Sequence, residues 1–397
     1  MLKKQDIATN LLSIAMLVLL FTKQFMFKAN ARIGEKIGLT ASESLGKNYM
    51  ILLALTILLI LLIILKKDKE NLNMLAGIVS SICLGMAILF AGQAANVVEV
   101  PQPSGRVSMS IGCYIYIVLA YLVEVKCNEY IPKTWKRFLV MMVGIVIGIG
   151  SIYSGQLDGL SIMKEYYSNE SQFIQYFKNH LSMSFKVVLS GIVVGIPLGW
   201  LAFKNKIAGK IISAILNTIE SIPSLALICV MMFPLSFISN RFPILKEYGI
   251  AGVGATPVFC ALFCYSLFQI VNSMYGALKV VDKQYIDAAK GMGMTTIQIF
   301  TKVELPIILP VILSGIRVSL TATILGVTIG SYIGYGGLGK FILQGLNGFA
   351  IDIVMLGTIP IMGMVLLFDF TLKKVVLIIE MFRKAKGAVK IWLNLKM

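Results

Sequence analysis

The chain has 397 residues, 57% hydrophobic and only 14% charged, with a mean hydropathy of +0.85. An ordinary soluble domain carries about 25% charged residues, so a polytopic membrane protein is expected and a soluble enzyme is excluded. The net charge of +17 does not mark a nucleic-acid binder, because the basic residues lie between apolar runs rather than on one solvated face.

A membrane-crossing helix needs roughly 20 apolar residues. In chain order the qualifying segments are 7–27, 49–65, 74–95, 109–125, 138–153, 182–203, 211–238, 250–277, 308–329 and 353–376. The expected fold is an all-α membrane protein of about ten transmembrane helices. The first segment follows Lys3 and Lys4 and precedes Ala29-Asn30-Ala31, the outline of a secretory signal with an A-x-A cleavage site. Its length and the spans behind it favour retention. Basic residues then cluster in every second connection: Lys66, Lys67 and Lys69; Lys126, Lys133, Lys136 and Arg137; Lys204, Lys206 and Lys210; Lys279, Lys283, Lys290 and Lys302; and the tail from Lys373 to Lys396. Cytoplasmic loops carry such an excess, which puts both termini in the cytoplasm.

Residues 154–181 are more polar and carry Tyr166, Tyr167, Phe173 and Tyr176, as an external amphipathic linker at headgroup level would. They divide an N-terminal extension of about five helices, 1–153, from a second block, 182–376, which a basic cytoplasmic tail, 377–397, follows. The one histidine, His180, reads as structural, and the six cysteines lie mostly in apolar runs as small hydrophobes, giving neither a metal site nor a disulfide framework.

The connection from Val281 to Pro310 reads VDKQYIDAAKGMGMTTIQIFTKVELPIILP. Gln284 to Lys290 is a good helix former, Gly291 and Gly293 are expected to break it, and Pro306 to open the next span. Asp287, Ala288, Ala289, Gly293, Val303, Leu305 and Pro306 follow the pattern E-A-A-x3-G-x9-I-x-L-P, with Asp for Glu and Val for Ile. This resembles the coupling loop of binding-protein-dependent ABC importer permeases. The runs GIVVGIPLGW (191–200), ESIPSLALICVMM (220–232) and IGYGGLG (333–339) extend the likeness over about 175–376. They are similar to the branch that imports the osmoprotectants glycine betaine, choline or carnitine.

The resemblance implies a transport subunit of the cell membrane that is no enzyme and binds no cofactor itself, ATP being used by a partner. It implies ATPase subunits docked on 281–310, an extracytoplasmic substrate-binding protein, and a second permease that is another copy or a paralogue. The first five segments have no counterpart in the minimal permease, although some osmoprotectant permeases resemble this chain in carrying such an extension. Glu220-Ser221 stand where the branch is expected to have Gln-Thr, which leaves the solute open. A permease for methionine or another amino acid is the second reading, and an ion-coupled secondary carrier using Glu220 and Asp369 the third.

Glu220, Arg317 and Asp369 fall within expected spans, where a charge costs about 2.5–3.5 kcal/mol at the helix centre on insertion scales. They read either as pathway or gate groups, Arg317 pairing with one of the acids, or as an inter-helix lock. Ser221, Pro223 and Ser224 join the pathway candidates, since Pro223 is expected to kink its helix and free backbone carbonyls. Gly336 and Gly337 are gate candidates. They belong to GYGGLGKF (334–341), which nearly spells the phosphate-binding loop G-x-x-x-x-G-K-[ST]. Phe341 replaces the metal-binding hydroxyl, and the stretch falls on the external side, so no nucleotide site is expected there. Phe259, Phe263 and Tyr265 could face a quaternary ammonium, but read more simply as ordinary membrane aromatics.

Overall fold

The structure is a computed structural model that describes residues 2–29, 36–65, 70–98 and 105–394, with side chains over 7–29, 36–65, 70–98 and 105–381. Two compact units divide the chain, one of Met1–Asn169 with Gly348–Asp352, the other of Glu170–Asn347 with Ile353–Met397. Among the described residues nine helices are long and apolar enough to cross a membrane, and Ile7–Leu19 is a shorter apolar helix.

The first unit runs α1 (Leu2–Leu19), β1 (Met26–Ala29), β2 (Lys36–Leu39), α2 (Ala41–Leu45), α3 (Asn48–Leu65), α4 (Glu70–Val97), β3 (Arg106–Met109), α5 (Ile111–Glu129), α6 (Thr134–Tyr153) and α7 (Ser161–Ser168). Its centre is α4, rich in small residues. A Cβ on Gly85 would lie 2.7 Å from Ile147, and the Gly144 N–H donates to Ser81 Oγ at 2.9 Å, so α4 and α6 meet almost backbone to backbone. Tyr116 is fully buried, its hydroxyl 2.7 Å from Thr56 Oγ1 and its ring edge-on to Phe25.

Here the structure departs from the expected first span, 7–27. The helix stops at Leu19, and the chain turns into a three-stranded antiparallel sheet, order β2-β1-β3, in which Met26 faces both Leu39 and Met109. Ala29 closes β1 opposite Lys36 and Arg106, whereas Asn30 and Ala31 of the expected cleavage motif lie outside the described residues.

The second unit runs α8 (Glu170–Lys204), α9 (Lys206–Ser221), α10 (Ser224–Arg241), α11 (Ile244–Glu247), α12 (Ala255–Lys279), α13 (Lys283–Gly291), α14 (Thr296–Ile299), a π-helical turn (Phe300–Glu304), α15 (Leu305–Ile329), a 3-10 turn (Gly330–Ile333), α16 (Gly339–Asn347) and α17 (Ile351–Asn394). Glycines 191, 195 and 199 recur every fourth residue along one face of α8. A Cβ on Gly199 would meet Met274 at 2.6 Å, so this face lets α12 pack close. His180 is fully buried with Nε2 2.9 Å from the Ile324 carbonyl, a helix-to-helix tie.

Three boundaries differ from expectation. Of 154–181, residues 161–168 form α7, and from Glu170 the chain is already α8. The segment 211–238 is two helices separated at Ile222–Pro223. The tail from 377 continues α17 to Asn394.

Candidate functional site

A cavity lies at the break between α9 and α10. Pro223 has no N–H and disfavours helical geometry at the residue before it. Ile222 is accordingly extended (φ −80°, ψ 129°), and its carbonyl accepts a hydrogen bond from the Tyr265 hydroxyl instead of a helical N–H. Around this break lies a cavity of about 460 Å³. The break itself contributes Glu220, Pro223 and Ser224; α12 contributes Tyr265, Ser266 and Gln269. From α15 come Ser319 and Thr323. Ser319 donates to Ser266 at 2.9 Å, both serines being 1% exposed. Ser221 turns away and donates to the Thr218 carbonyl at 2.7 Å.

The cavity therefore gathers three of the pathway residues expected from sequence and adds five polar ones outside that set, among them Tyr265, which the sequence reads as an ordinary membrane aromatic. Polar residues at i and i+4 on one face of α12 (Tyr265, Gln269) and of α15 (Ser319, Thr323) were the available signal. Arg317 and Asp369 do pair, Nε to Oδ1 at 3.5 Å, with side chains 28% and 47% exposed. The pair is not part of the cavity lining.

Gly336 and Gly337 sit in a knot at the end of α15. Gly334 takes φ +86°, a left-handed geometry that favours glycine. The Gly336 carbonyl accepts from Asn179 Nδ2 at 2.9 Å, and the Tyr335 hydroxyl donates to the Asn179 carbonyl at 2.7 Å. Burial pushes the Tyr335 hydroxyl up to about 12, so it remains a donor at any physiological pH. Phe341, at the hydroxyl position of the near-phosphate loop, is fully buried against Phe173 and Tyr176. A 3-10 turn rather than a strand precedes this loop, which removes the geometry phosphate cradling requires. A Cβ on Gly339 would lie 2.2 Å from the Thr328 carbonyl oxygen. Gly339→Ala is therefore expected to destabilise the protein by about 1–3 kcal/mol through overpacking, read as a lower thermal midpoint in detergent.

The 281–310 connection forms a compact knob. Asp282 caps α13 by accepting from the Gln284 N–H at 3.0 Å, and Thr295 and Gln298 form a reciprocal capping box on α14. α13 ends on Gly291, as expected, and the turn that follows comes at Gly293, φ +74°. Pro306 stands in the first turn of α15, as expected, while the candidate span as a whole reaches back through the π-helical turn to Thr296. A proline clashes with the carbonyl four residues back, here Lys302, and that residue lies in the wider π-helical turn.

Within the knob Ala289 is 1% exposed, an internal packing residue. Asp287 is exposed and lies 3.9 Å from Lys290. The outward apolar side chains are Tyr285, Met292 and Ile297, 59%, 69% and 71% exposed, none of which the motif comparison singled out. Val303, Leu305 and Pro306 belong to the helix start behind the knob, where Leu305 packs beside Met274 and Ile308. Glu304, 1% exposed, holds Lys204 Nζ at 3.3 Å and so ties the end of α8 to the base of the knob.

Helices of membrane-crossing length, with a cavity at a broken helix and a connection that exposes apolar side chains, define a multi-pass membrane protein. Residues 191–377 match the family described as "Binding-protein-dependent transport system inner membrane component", and residues 4–163 match "ABC transporter permease YehY, N-terminal domain". The chain belongs to this family of ABC transporter permeases. It is 35% identical over 195 residues to a carnitine transport permease protein of Listeria monocytogenes, covering 49% of this chain and 82% of that one. It is 32% identical over 233 residues to a glycine betaine/carnitine/choline transport system permease protein of Bacillus subtilis, covering 58% and 95%. A choline transport system permease protein of the same organism is 32% identical over 205 residues, 52% and 87% covered. These relatives are transport permeases rather than enzymes, and the family implies ATP used by a partner ATPase.

Proposed function

We propose that this chain is the membrane permease of an importer for osmoprotectants of the glycine betaine, carnitine and choline class. Separate ATPase subunits dock on the knob of 281–310, an extracytoplasmic binding protein delivers the solute, and a second permease, a copy or a paralogue, completes the pathway. The observation that carries this reading is the 35% identity to a carnitine permease across 82% of that protein. The exposed Tyr285, Met292 and Ile297 supply the apolar surface a docking ATPase needs. Closure of the ATPases would move α13 and α14, which continue into α15 and so reach the cavity. The Arg317–Asp369 pair and the Gly336–Gly337 knot are gate elements in this scheme.

The test is uptake of labelled glycine betaine by vesicles holding this chain and its co-purifying subunits. Uptake is expected to require ATP and to persist after ion gradients are collapsed. Uptake driven by an ion gradient without nucleotide would instead establish the secondary-carrier reading, and uptake of methionine but of no betaine the amino-acid one.

A further inference from the structure

The first unit buries a carboxylate that no basic side chain neutralises among the described residues. Glu124 lies on α5, inside a candidate membrane span, and is 3% exposed. Its Oε1 has no hydrogen-bond partner, and the residue has no ion-pair partner, among the described residues. The cations around the α5–α6 turn are engaged elsewhere: Lys126 with Glu129 at 2.8 Å, Lys136 with Glu70 at 2.8 Å, and Arg137 Nε with the Ile131 carbonyl. Lys133 is exposed at the start of α6. A charge inside a span is expensive and is ordinarily held by a partner, so an ionisable residue there without one points to function.

Glu124 lines a small cavity of about 70 Å³ together with Ser81 of α4, Tyr121 of α5, and Met141 and Gly144 of α6. Ser81 Oγ is fixed at the wall because it accepts the Gly144 N–H at 2.9 Å. Ser80, the next residue back, donates to the Ala120 carbonyl at 2.7 Å and joins α4 to α5. The cavity is therefore bounded by tied helices rather than by loops. One turn beyond Glu124 on the same face of α5, Asn128 is 7% exposed and its Oδ1 also lacks a hydrogen-bond partner among the described residues. It extends the row of acceptor oxygens towards the end of the helix.

A proton on Oε1 would only exchange an acceptor without a donor for a donor without an acceptor. Water alone gives Oε1 a hydrogen bond but leaves the charge uncompensated. A cation beside Oε1 supplies both a partner and the missing charge. One carboxylate balances one positive charge, and no group of three or more His, Cys, Asp or Glu that could hold a metal ion occurs among the described residues, so the site suits a monovalent ion rather than a divalent one. Oxygen ligands select hard cations, and a carboxylate of high field strength in a small cavity favours the smaller alkali ion. We infer that Glu124 and Ser81 form a sodium site in the first unit, with Glu124 Oε1 and Ser81 Oγ as ligands and water completing the shell. The ion ties α4, α5 and α6 together, and the inference stands apart from the importer assignment.

The test follows the thermal midpoint of the full chain, purified in detergent without sodium, in sodium, potassium or N-methyl-D-glucamine chloride at one pH and ionic strength. Saturating sodium is expected to raise the midpoint by about 2–4 °C over the glucamine salt, and potassium by less. Radiolabelled sodium is expected to bind at one ion per chain. Glu124→Gln, which removes the charge and keeps the shape, abolishes both the sodium shift and the binding, and in the glucamine salt is at least as stable as the unmodified chain. Should that variant fail to fold, the cation series and sodium binding on the unmodified chain decide alone. Absence of a sodium shift and of sodium binding in the unmodified chain overturns the inference, as does a sodium shift undiminished in Glu124→Gln. A midpoint that ignores sodium but rises on acidification, and does so only while Glu124 is present, would show a neutral carboxylic acid there and overturn it as well.

Discussion

Ile297→Asp is expected to weaken the association of this chain with its ATPase by about 30-fold, roughly 2 kcal/mol, the lower bound for an interface hot spot. Ile297 is 71% exposed and lies inside α14, whose N-terminal end is held by the Thr295–Gln298 capping box rather than by Ile297. An aspartate there changes the surface and leaves the knob standing. Met292→Asp should act in the same direction. ATPase co-purification and solute-stimulated ATP hydrolysis measure the effect, and retention of the ATPase at unmodified yield would refute docking at this face.

The motif positions behave differently. Ala289 is 1% exposed and Gly293 holds φ +74°, so a bulky residue at either deforms the knob instead of altering its surface. The pattern E-A-A-x3-G thus specifies the shape of the loop more than its contacts. This explains why the pattern was legible in the sequence and the exposed apolar residues were not: an internal alanine and a left-handed glycine obey strict local rules, whereas an exposed tyrosine, methionine or isoleucine resembles any other membrane-protein side chain.

The same distinction runs through the fold. Apolar runs such as 49–65 stand out by length and nearly coincide with α3. The twelve residues that α8 adds before 182 are polar enough to look like linker, and only their helical continuity with the span reveals them. Strands of four residues such as Met26–Ala29 are too short to show alternation against an apolar background. Pro223 announced the break in the seventh segment because its missing N–H is a local property. The serines and threonine facing that break did not announce themselves, because a hydroxyl in a membrane helix is ordinarily satisfied by its own backbone.

Lys204→Met is expected to destabilise the protein by about 3–5 kcal/mol, the usual cost of leaving one partner of a buried ion pair uncompensated. Glu304 is 1% exposed, Lys204 Nζ lies 3.3 Å from its Oε1, and its Oε2 has no hydrogen-bond partner among the described residues. Removing the lysine therefore strands a carboxylate with no donor. Lys204 itself is one-third exposed, so the asymmetry is testable: Glu304→Gln, which leaves a lysine able to reach water, should cost less than Lys204→Met. The double variant Lys204→Met, Glu304→Met should recover much of the loss, since two apolar side chains need no compensation. Thermal midpoints of the detergent-solubilised chain order the variants, and equal midpoints for the two single variants would show that burial of Glu304 does not govern the pair. Because this contact joins the end of α8 to the π-helical turn below the knob, the double variant also separates stability from coupling. A double variant that is stable and holds its ATPase but hydrolyses ATP without importing solute would mark the pair as the point where movement of the knob is passed to the helices around the cavity.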